Sequence, residues 1–477
     1  MIYSQPGRFM KHFSARIFFT ALLFCVSGLS AQEARFTPDP HIPAEACQTS
    51  VMDADMFART ALIASGTNEQ DLPVLLDKMQ QLYETLAQKI SADAHTDEKA
   101  EQSLYFLYTS VIHTYYETQT RIDTALLEGT YNCVSSAVLF MYLMKKEGIP
   151  VLAVETPLHA FCAVLSDGRA VDVETTNPWG YDPGTKKSIP QDSLSQTKYI
   201  TVPAKKYANR HTVDDRRIIA LIYNNRMASL QRQKADISTV GLASDAVTLQ
   251  NKSQDSLTTF YQCAYNAAVD FSYSGNDEQG LSLISQARGL YGDSPLYHEY
   301  VSAAVQNLAD AAMKKRDYQG ALAYLEKYRP QVTVQDYTAM HETVIVNSLN
   351  YTVQTKPFEE SLAEVRTAQD SLSASNYTSL IEYAYSFEAD RISKTGAWLD
   401  AASILEQGLA EIPGDGTLVQ QRSVYRQNFA VEIHNRATVM YNSGDKAGAK
   451  AVIQSGLEKM SDSTVLKNDL RRLQNIQ

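Results

Sequence analysis

The sequence feature that most constrains the fold is a repeat of about 40 residues that fills the second half of this 477-residue chain. Short segments that each open a predicted helix recur with spacings of 41, 40, 40, 40 and 48 residues, and five of the six have an asparagine 13 or 14 residues before the segment ends. A pair of helices cannot bury its apolar face alone, so neighbouring pairs must stack. We therefore predict an all-α helical-repeat solenoid over residues 214–477. The segments are Asp236-Ile-Ser-Thr239, Asp277-Glu-Gln-Gly280, Asp317-Tyr-Gln-Gly320, Pro357-Phe-Glu-Glu360, Ala397-Trp-Leu-Asp400 and Asp445-Lys-Ala-Gly448, and the asparagines are Asn225, Asn266, Asn307, Asn347 and Asn435.

The repeat resembles the tetratricopeptide repeat. Gly275-Asn-Asp-Glu278 and Lys315-Arg-Asp-Tyr318 stand where that family turns between helices, and Ala287 and Pro295 occupy family-like places. The spacing here is longer than the ~34 residues usual in that family. The alternative is a generic array of helical hairpins, which has the same architecture. The resemblance implies a surface that binds a protein partner.

A second strong feature is the helix predicted to begin at Cys133. Asn132 can cap this helix with its side-chain oxygen, and Gly148 followed by Pro150 ends it. Cys133 therefore lies in the first helical turn. Unpaired backbone N–H groups and the positive end of the helix dipole favour the thiolate form there. Cys133 is thus a candidate nucleophile.

Three short strands are predicted after the cysteine helix, over residues 149–155, 159–165 and 170–176. Asp167-Gly168 can form a tight hairpin turn between the last two strands. If Asp167 and Gly168 are the two turn residues, Leu165 lies opposite Ala170, and the residue numbers of every pair that face each other across the two strands add up to 335. The pattern predicts a small antiparallel sheet that follows the cysteine helix.

The predicted register puts His159, Asp172 and Glu174 on one face of the sheet. Glu174 is diagonal to His159 and within side-chain reach, whereas Asp172 lies two residues further along its strand. We therefore expect Glu174 to orient the His159 ring, with Asp172 as the alternative acid. Cys162 alternates to the opposite face and is expected in the core.

These motifs resemble the transglutaminase-like superfamily, a circularly rearranged relative of papain-type cysteine proteases. The resemblance rests on N-C-V-S-S-A-V-L-F-M-Y-L-M-K-K-E-G-I-P, H-A-F-C-A-V and G-R-A-V-D-V-E-T-T-N-P, within a domain expected at residues 69–207. It implies an α+β fold with Cys133 as nucleophile, His159 as base, and Glu174 where the family usually has aspartate. Three features depart from the family pattern. Phe161 replaces the common tryptophan, Val-Glu-Thr-Thr replaces Asp-Pro-Thr, and no upstream side chain that completes the oxyanion hole is recognisable.

The cysteines do not indicate a metal site or a disulfide framework. Cys47, Cys133, Cys162 and Cys263 are widely spaced, and no two of them stand two to four residues apart as zinc ligands often do. A single buried cysteine is usually a small hydrophobic residue, so a structural role is the alternative for Cys133. We expect no metal and no other cofactor.

The N-terminus has the pattern of a secretory signal peptide. Basic residues up to Arg16 precede an apolar core from Ile17 and small residues that end at Ala31. We predict a signal peptide over residues 1–31 and a periplasmic or secreted protein. A lipoprotein processed at Cys25 is the less favoured alternative, because the preceding residue is a phenylalanine rather than a small residue. No other apolar run approaches membrane-spanning length.

The rest of the N-terminal half yields coarser predictions. The loop over residues 177–184 carries Trp179 and Tyr181 beside Glu174, and could either line a substrate cleft or cover the edge of the sheet. The remaining predictions are an extended lead-in over residues 32–68, helices over residues 71–91 and 97–126, and a strand over residues 198–202.

Together these features predict acyl transfer at Cys133. The thiolate would attack an amide carbonyl and form a thioester, which water or an amine then resolves. We expect an exported enzyme that hydrolyses peptide or amide bonds and whose repeats bind a protein partner. The alternative is a non-catalytic exported scaffold with a degenerate cysteine domain. The net charge of -11 argues against binding to nucleic acid.

Overall fold

The chain forms two compact units, one up to Tyr300 and the other from Val301. The predicted signal peptide over residues 1–31, and Cys25 with it, lies outside the described residues. Within the described part of the chain, no helix combines the length and the apolar character needed to cross a bilayer. The computed structural model describes residues 36, 38–185, 197–200, 202, 207–234 and 237–474.

The first unit combines helices with a small amount of sheet, and the described part of the second unit is helical. The helices of the first unit are α1 (Ala44–Gln48), α2 (Ala54–Ser65), α3 (Leu72–Ala87), α4 (Thr96–Ser110), α5 (Ile122–Glu128), α6 (Cys133–Lys146), α7 (Asp215–Arg232), α8 (Ile237–Leu249), α9 (Gln254–Tyr273) and α10 (Asp277–Tyr291). Its strands are β1 (Thr114–Tyr115), β2 (Thr130–Tyr131), β3 (Val151–Thr156), β4 (His159–Ser166), β5 (Arg169–Val173) and β6 (His211–Val213). The division between the units falls within α11 (Pro295–Lys314). The second unit continues with α12 (Tyr318–Tyr328), α13 (Val334–Thr355), α14 (Phe358–Thr367), α15 (Ala374–Ser393), α16 (Trp398–Glu411), α17 (Gly416–Asn442), α18 (Lys446–Lys459) and α19 (Thr464–Gln474).

Helix α6 is the centre of the first unit. Every residue from Val134 to Met144 is buried, and the helix packs against α2, α4, α5, β3 and β4. The predicted cap is confirmed, because the Asn132 side chain accepts hydrogen bonds from the backbone N–H groups of Val134 and Ser135 at 3.0 and 3.1 Å. Gly148 follows the helix with a φ of 67°, a conformation that glycine adopts without strain. Cap and burial together fix the first turn of α6 relative to the sheet.

A four-stranded antiparallel sheet with the order β5-β4-β3-β6 packs against α6 through β3 and β4. The predicted hairpin is confirmed. The chain turns at Asp167 and Gly168, both with positive φ, and Leu165 pairs with Ala170. Strand β5 ends earlier than predicted, at Val173, and β6 was not predicted. Along β4, successive side chains alternate between the two faces of the sheet, as expected. Strand β5 is shorter than predicted.

The single helix predicted over residues 97–126 is wrong for residues 111–121, which separate α4 from α5. Helix α4 ends at Ser110, and β1 then pairs in parallel with β2. His113, which we expected on the helix, lies between α4 and β1 and donates its backbone N–H to the Gly129 carbonyl at 2.8 Å. Pairing with a strand that lies further along the chain overrides the local helical periodicity here.

The extended lead-in predicted over residues 32–68 is wrong in its second half, which contains α2. Phe57 and Leu62 of this helix are fully buried, and α2 packs against α3, α6 and α7. Residues 198–202 were predicted to form a strand. In their described part, Lys198 forms an isolated bridge to β1.

The helical character predicted from residue 214 onwards is confirmed for the described residues. Asp317 and Asp445 cap α12 and α18, and Pro357 and Ala397 directly precede α14 and α16, so these repeat segments do open helices. Each helix from α12 to α19 packs against the next, and α15 also packs against α13 and α17. Helices α7 to α10 belong instead to the first unit, where α7 packs against α2, α6 and β3.

Candidate active site

Cys133 is the first residue of α6, and the helix cap leaves its backbone N–H unused. The Asn132 side chain accepts from the N–H groups of Val134 and Ser135, and the Asn132 N–H donates to Ser135 Oγ at 2.9 Å. Within the described residues, the Cys133 N–H has no acceptor. The residue is partly exposed. An N–H in this place can stabilise an oxyanion that forms next to the sulfur.

His159, the first residue of β4, connects Cys133 with Glu174. Its side chain is buried, and Nε2 lies 2.8 Å from Oε2 of Glu174. The Cys133 thiol is a close enough neighbour of the ring to raise its pKa. Because Nε2 faces the carboxylate, Nδ1 is the nitrogen left for the thiol. Burial lowers the pKa of His159, but the hydrogen bonds with Cys133 and Glu174 outweigh burial and raise this pKa to about 9. The ring is therefore well suited to hold a proton taken from the thiol.

Glu174 is buried and accepts hydrogen bonds at both oxygens. Oε1 accepts from Thr176 Oγ1 at 2.6 Å and from the Thr176 backbone N–H at 3.1 Å. Oε2 accepts from the Tyr207 hydroxyl as well as from His159. Burial raises the pKa of Glu174, but these hydrogen bonds and the charge of His159 outweigh burial and lower it. The carboxylate thus stays ionised and can stabilise a protonated His159 ring.

The position of Glu174 depends on a turn that the sequence analysis missed. After Val173 the chain folds back, and the Glu174 N–H donates to the Gly180 carbonyl at 2.8 Å. A Cβ atom at Gly180 would lie 1.9 Å from the Glu174 carbonyl oxygen, so glycine is required for this close approach. The predicted pairing of His159 opposite Thr176 is therefore wrong. The Glu174 side chain nevertheless reaches His159 from the turn.

Asp172, the alternative acid, has a different partner. Both of its oxygens bind the guanidinium of Arg210 at 2.6 Å, and its side chain is 34% exposed. The same guanidinium lies over the Phe161 ring at 4.8 Å from its centroid. The structure thus brings together Cys133, His159 and Glu174, and it pairs Asp172 with Arg210.

Cys162 lies in the core, as predicted. Its side chain is fully buried and its thiol donates to the Ala137 carbonyl at 3.7 Å. Burial raises the pKa of the Cys162 thiol well above its ordinary value. This cysteine faces α6 and not the imidazole, which agrees with the alternation along β4.

The loop that carries Trp179 and Tyr181 covers the edge of the sheet. Tyr181 forms an isolated bridge with Val173, and its hydroxyl donates to Asp97 of α4. Trp179 lines a cavity of about 480 Å³ beside α3 and α4, and Cys133 is not part of that lining. Of the two roles left open for this loop, the contacts support covering of the sheet edge.

Tyr115 on β1 is a site residue that the sequence analysis missed. It pairs with Tyr131 on β2, and their ring centroids are 5.6 Å apart. Burial and the neighbouring Cys133 raise the pKa of Tyr115 far above its ordinary value, so its hydroxyl remains a hydrogen-bond donor. Tyr115 falls within the helix predicted over residues 97–126. The β propensity of the run Thr114-Tyr-Tyr116 is the signal that could have revealed the strand.

Two further aromatic residues surround the imidazole. Phe161 stacks on His159 with a centroid distance of 6.1 Å, and Tyr207 meets the rings of His159 and Phe161 edge-on at 5.9 and 5.3 Å. The alternation along β4 accounts for Phe161, which lies two residues after His159. No sequence motif pointed to Tyr207.

A thiol, an imidazole and a carboxylate in this order can generate a nucleophilic thiolate. The cysteines of the described residues, Cys47, Cys133, Cys162 and Cys263, are free thiols. In the same part of the chain, no group of three or more histidine, cysteine, aspartate or glutamate side chains is arranged to hold a metal ion. Comparison of the chain with known protein families and with curated proteins finds no match.

Proposed function

We propose that the protein is a transglutaminase-like cysteine hydrolase that cleaves peptide or amide bonds through a thioester on Cys133. One observation carries the proposal: the buried His159 ring lies 2.8 Å from the Glu174 carboxylate, and the Cys133 thiol is a close enough neighbour to raise the pKa of the same ring. A cysteine that serves only as a small core residue needs no such partners. A nucleophile, in contrast, needs a base and a group that orients the base.

The chemistry divides into acylation and hydrolysis. Nδ1 of His159 takes the thiol proton, and the Cys133 sulfur attacks the carbonyl carbon of the amide. The C–N bond breaks as His159 returns the proton to the leaving amine, and a thioester remains on Cys133. A water molecule then attacks the thioester while His159 takes its proton. Release of the carboxylic acid regenerates the thiol, and Glu174 stabilises the protonated ring in both stages.

Two donors are available for the oxyanion of the tetrahedral intermediates. The first is the Cys133 N–H, which the cap of α6 leaves without an acceptor among the described residues. The second is the Tyr115 hydroxyl, which stays protonated because burial and the nearby Cys133 raise its pKa. Removal of one such donor in other enzymes typically lowers kcat by ~10²–10³.

The remaining parts of the chain extend the proposal. Residues 1–31 would direct export to the periplasm or the outside of the cell, either as a cleaved signal peptide or through lipoprotein processing at Cys25. The helical repeats, of tetratricopeptide-like type, would bind a protein partner or a protein substrate, since stacked helix pairs present extended surfaces. This large helical part also favours a second candidate function, a non-catalytic exported scaffold.

Alkylation of Cys133 by iodoacetamide tests the proposal. We expect Cys133 to react at least about tenfold faster than Cys47 at roughly pH 6–7, because His159 assists Cys133 while burial raises the pKa of the Cys47 thiol. Mass spectrometry of the labelled peptides measures both rates in one sample, so Cys47 is an internal control.

His159→Ala should remove the advantage of Cys133 and leave the rate at Cys47 unchanged. Equal rates for the two thiols in the unmodified protein would contradict the hydrolase and leave the scaffold as the remaining function. If Cys133 is reactive, incubation with peptidoglycan-derived peptides and with unfolded proteins, with Cys133→Ala as control, identifies the bond that is cleaved.

A further inference from the structure

A tyrosine outside the sequence motifs shares a carboxylate oxygen with the candidate base. The Tyr207 hydroxyl donates to Oε2 of Glu174, and the same oxygen accepts from Nε2 of His159 at 2.8 Å. The Tyr207 hydroxyl and the His159 N–H therefore share the negative charge of one carboxylate oxygen. Tyr207 follows Glu174 by 33 residues and joins the site from another part of the chain.

The Tyr207 ring also restrains the imidazole from the side. Its edge meets the rings of His159 and Phe161, and Phe161 stacks on the face of His159 at an interplanar angle of 19°. The imidazole thus has one nearly parallel and one perpendicular aromatic neighbour, which favour one ring orientation. That orientation matters because Nδ1 can face the Cys133 thiol only while Nε2 faces Glu174.

We propose that Tyr207 is a positioning residue that holds the His159–Glu174 pair and limits the basicity of the imidazole. The inference rests on the proposed function, since the pair has a chemical role only if Cys133 acts as a nucleophile. A hydroxyl that donates to Oε2 draws negative charge away from the ring. His159 can then release its proton more readily and take up the proton of the attacking water. Without the hydroxyl, the carboxylate would hold the protonated ring more tightly.

The other groups around the pair do not replace the Tyr207 hydroxyl. Thr176 donates to Oε1 and not to Oε2, and the charged neighbours Asp172 and Arg210 bind each other. Burial raises the pKa of each tyrosine that faces the pair and of Cys162, so these groups stay neutral near pH 7. Besides Tyr207, Asp172 and Arg210, the titratable groups near the pair in the described part of the chain are Cys133 on α6, Tyr108 on α4, Tyr115 on β1 and Tyr131 on β2, whereas Cys162 on β4 faces away from the imidazole.

Tyr207→Phe tests the inference because it removes the hydroxyl and keeps the ring. In the full-length protein, p-nitrophenyl acetate acylates Cys133, and mass spectrometry follows hydrolysis of the acetyl thioester against pH. Water attack requires a neutral His159 ring. We therefore expect the midpoint of the rate profile to move up by about 0.5–1 pH unit and hydrolysis at pH 7 to slow by about three- to tenfold. An NMR titration of the His159 ring should move in the same direction.

Tyr337→Phe is the matched control, since it removes a hydrogen bond between a tyrosine and Glu326 in the second unit. It should leave the profile unchanged. If Tyr207→Phe does not fold, difluorotyrosine at position 207 keeps the ring and is a stronger donor, so the midpoint should move down. An unchanged midpoint in the folded position-207 variant overturns the inference while the proposed function stands. Failure of p-nitrophenyl acetate and iodoacetamide to react preferentially with Cys133 in the unmodified protein overturns the proposed function itself.

Discussion

Two carboxylates that lie two residues apart on the chain have different partners. Glu174 is buried against His159, Thr176 and Tyr207, whereas Asp172 binds Arg210 at a more exposed place. Both oxygens of Glu174 accept hydrogen bonds. A glutamine side chain would place an NH₂ group, which is itself a donor, opposite one of these donors. The two acids should therefore respond differently to the same isosteric change.

We expect Glu174→Gln to slow iodoacetamide alkylation of Cys133 near pH 7 by a factor of about 10 to 100, because the protonated ring loses its charged partner. Asp172→Asn is the matched control and should stay within about threefold of the unmodified protein, since it disturbs an exposed ion pair. The rates are measured by mass spectrometry of the Cys133 peptide. A larger effect of Asp172→Asn would contradict the assignment of Glu174.

The raised pKa of His159 has a consequence for stability. The folded chain binds this proton with a pKa of about 9, whereas the ordinary value is 6.5. Protonation of His159 therefore stabilises the folded state fully below about pH 6.5, and this contribution is lost as the pH rises through about 9. We expect the difference in free energy of unfolding between the unmodified protein and His159→Gln to shrink over this range in urea titrations. A difference that grows with pH would be inconsistent with a raised pKa.

At the scale of elements, the cap of α6 serves both stability and the site. Asn132 is buried and accepts hydrogen bonds from two backbone N–H groups, while the neighbouring N–H of Cys133 has no acceptor among the described residues and can serve an oxyanion. A shift in the first turn of α6 would move the thiol relative to His159 on β4. The cap thus helps to hold the Cys133 thiol in place relative to His159.

We expect Asn132→Ala to lower the free energy of unfolding by about 1–2 kcal/mol, measured by urea denaturation, and also to slow alkylation of Cys133. Asp445→Ala is the matched control, because Asp445 caps α18 in the second unit by accepting from the Gly448 N–H at 2.8 Å. It should affect stability and leave alkylation unchanged. If Asn132→Ala also leaves alkylation unchanged, the cap is not needed to position the thiol.

At the scale of the whole molecule, the two units are built differently. The first unit surrounds the buried helix α6 with helices and a small sheet, and includes α7 to α10 from the helical part of the sequence. The second unit is an array in which each helix from α12 to α19 packs against the next, with Leu405 of α16 fully buried in one of its cores. The change in sequence character near residue 214 and the division at Tyr300 therefore mark different boundaries.

The sequence by itself determined the features that short-range interactions control. The Asn132 cap, the Asp167-Gly168 turn and the alternation from His159 to Phe161 involve residues close together in the chain. Helix starts at the repeat segments, such as the one at Asp317, follow from the same kind of local hydrogen bond. Such interactions can be predicted because the residues that form them are neighbours in sequence.

Tertiary structure alone decided the features that depend on distant residues. Tyr115 lies on a strand because β1 pairs with β2, against the helical periodicity of its own segment. Glu174 reaches His159 from a turn closed at Gly180, and Tyr207 completes the site from 33 residues away. Hydrogen bonds and charges in the folded chain, which outweigh burial, then set the protonation of His159 and Glu174. No local pattern encodes the contacts of Tyr115 and Tyr207, because they form only when separate segments of the chain pack together.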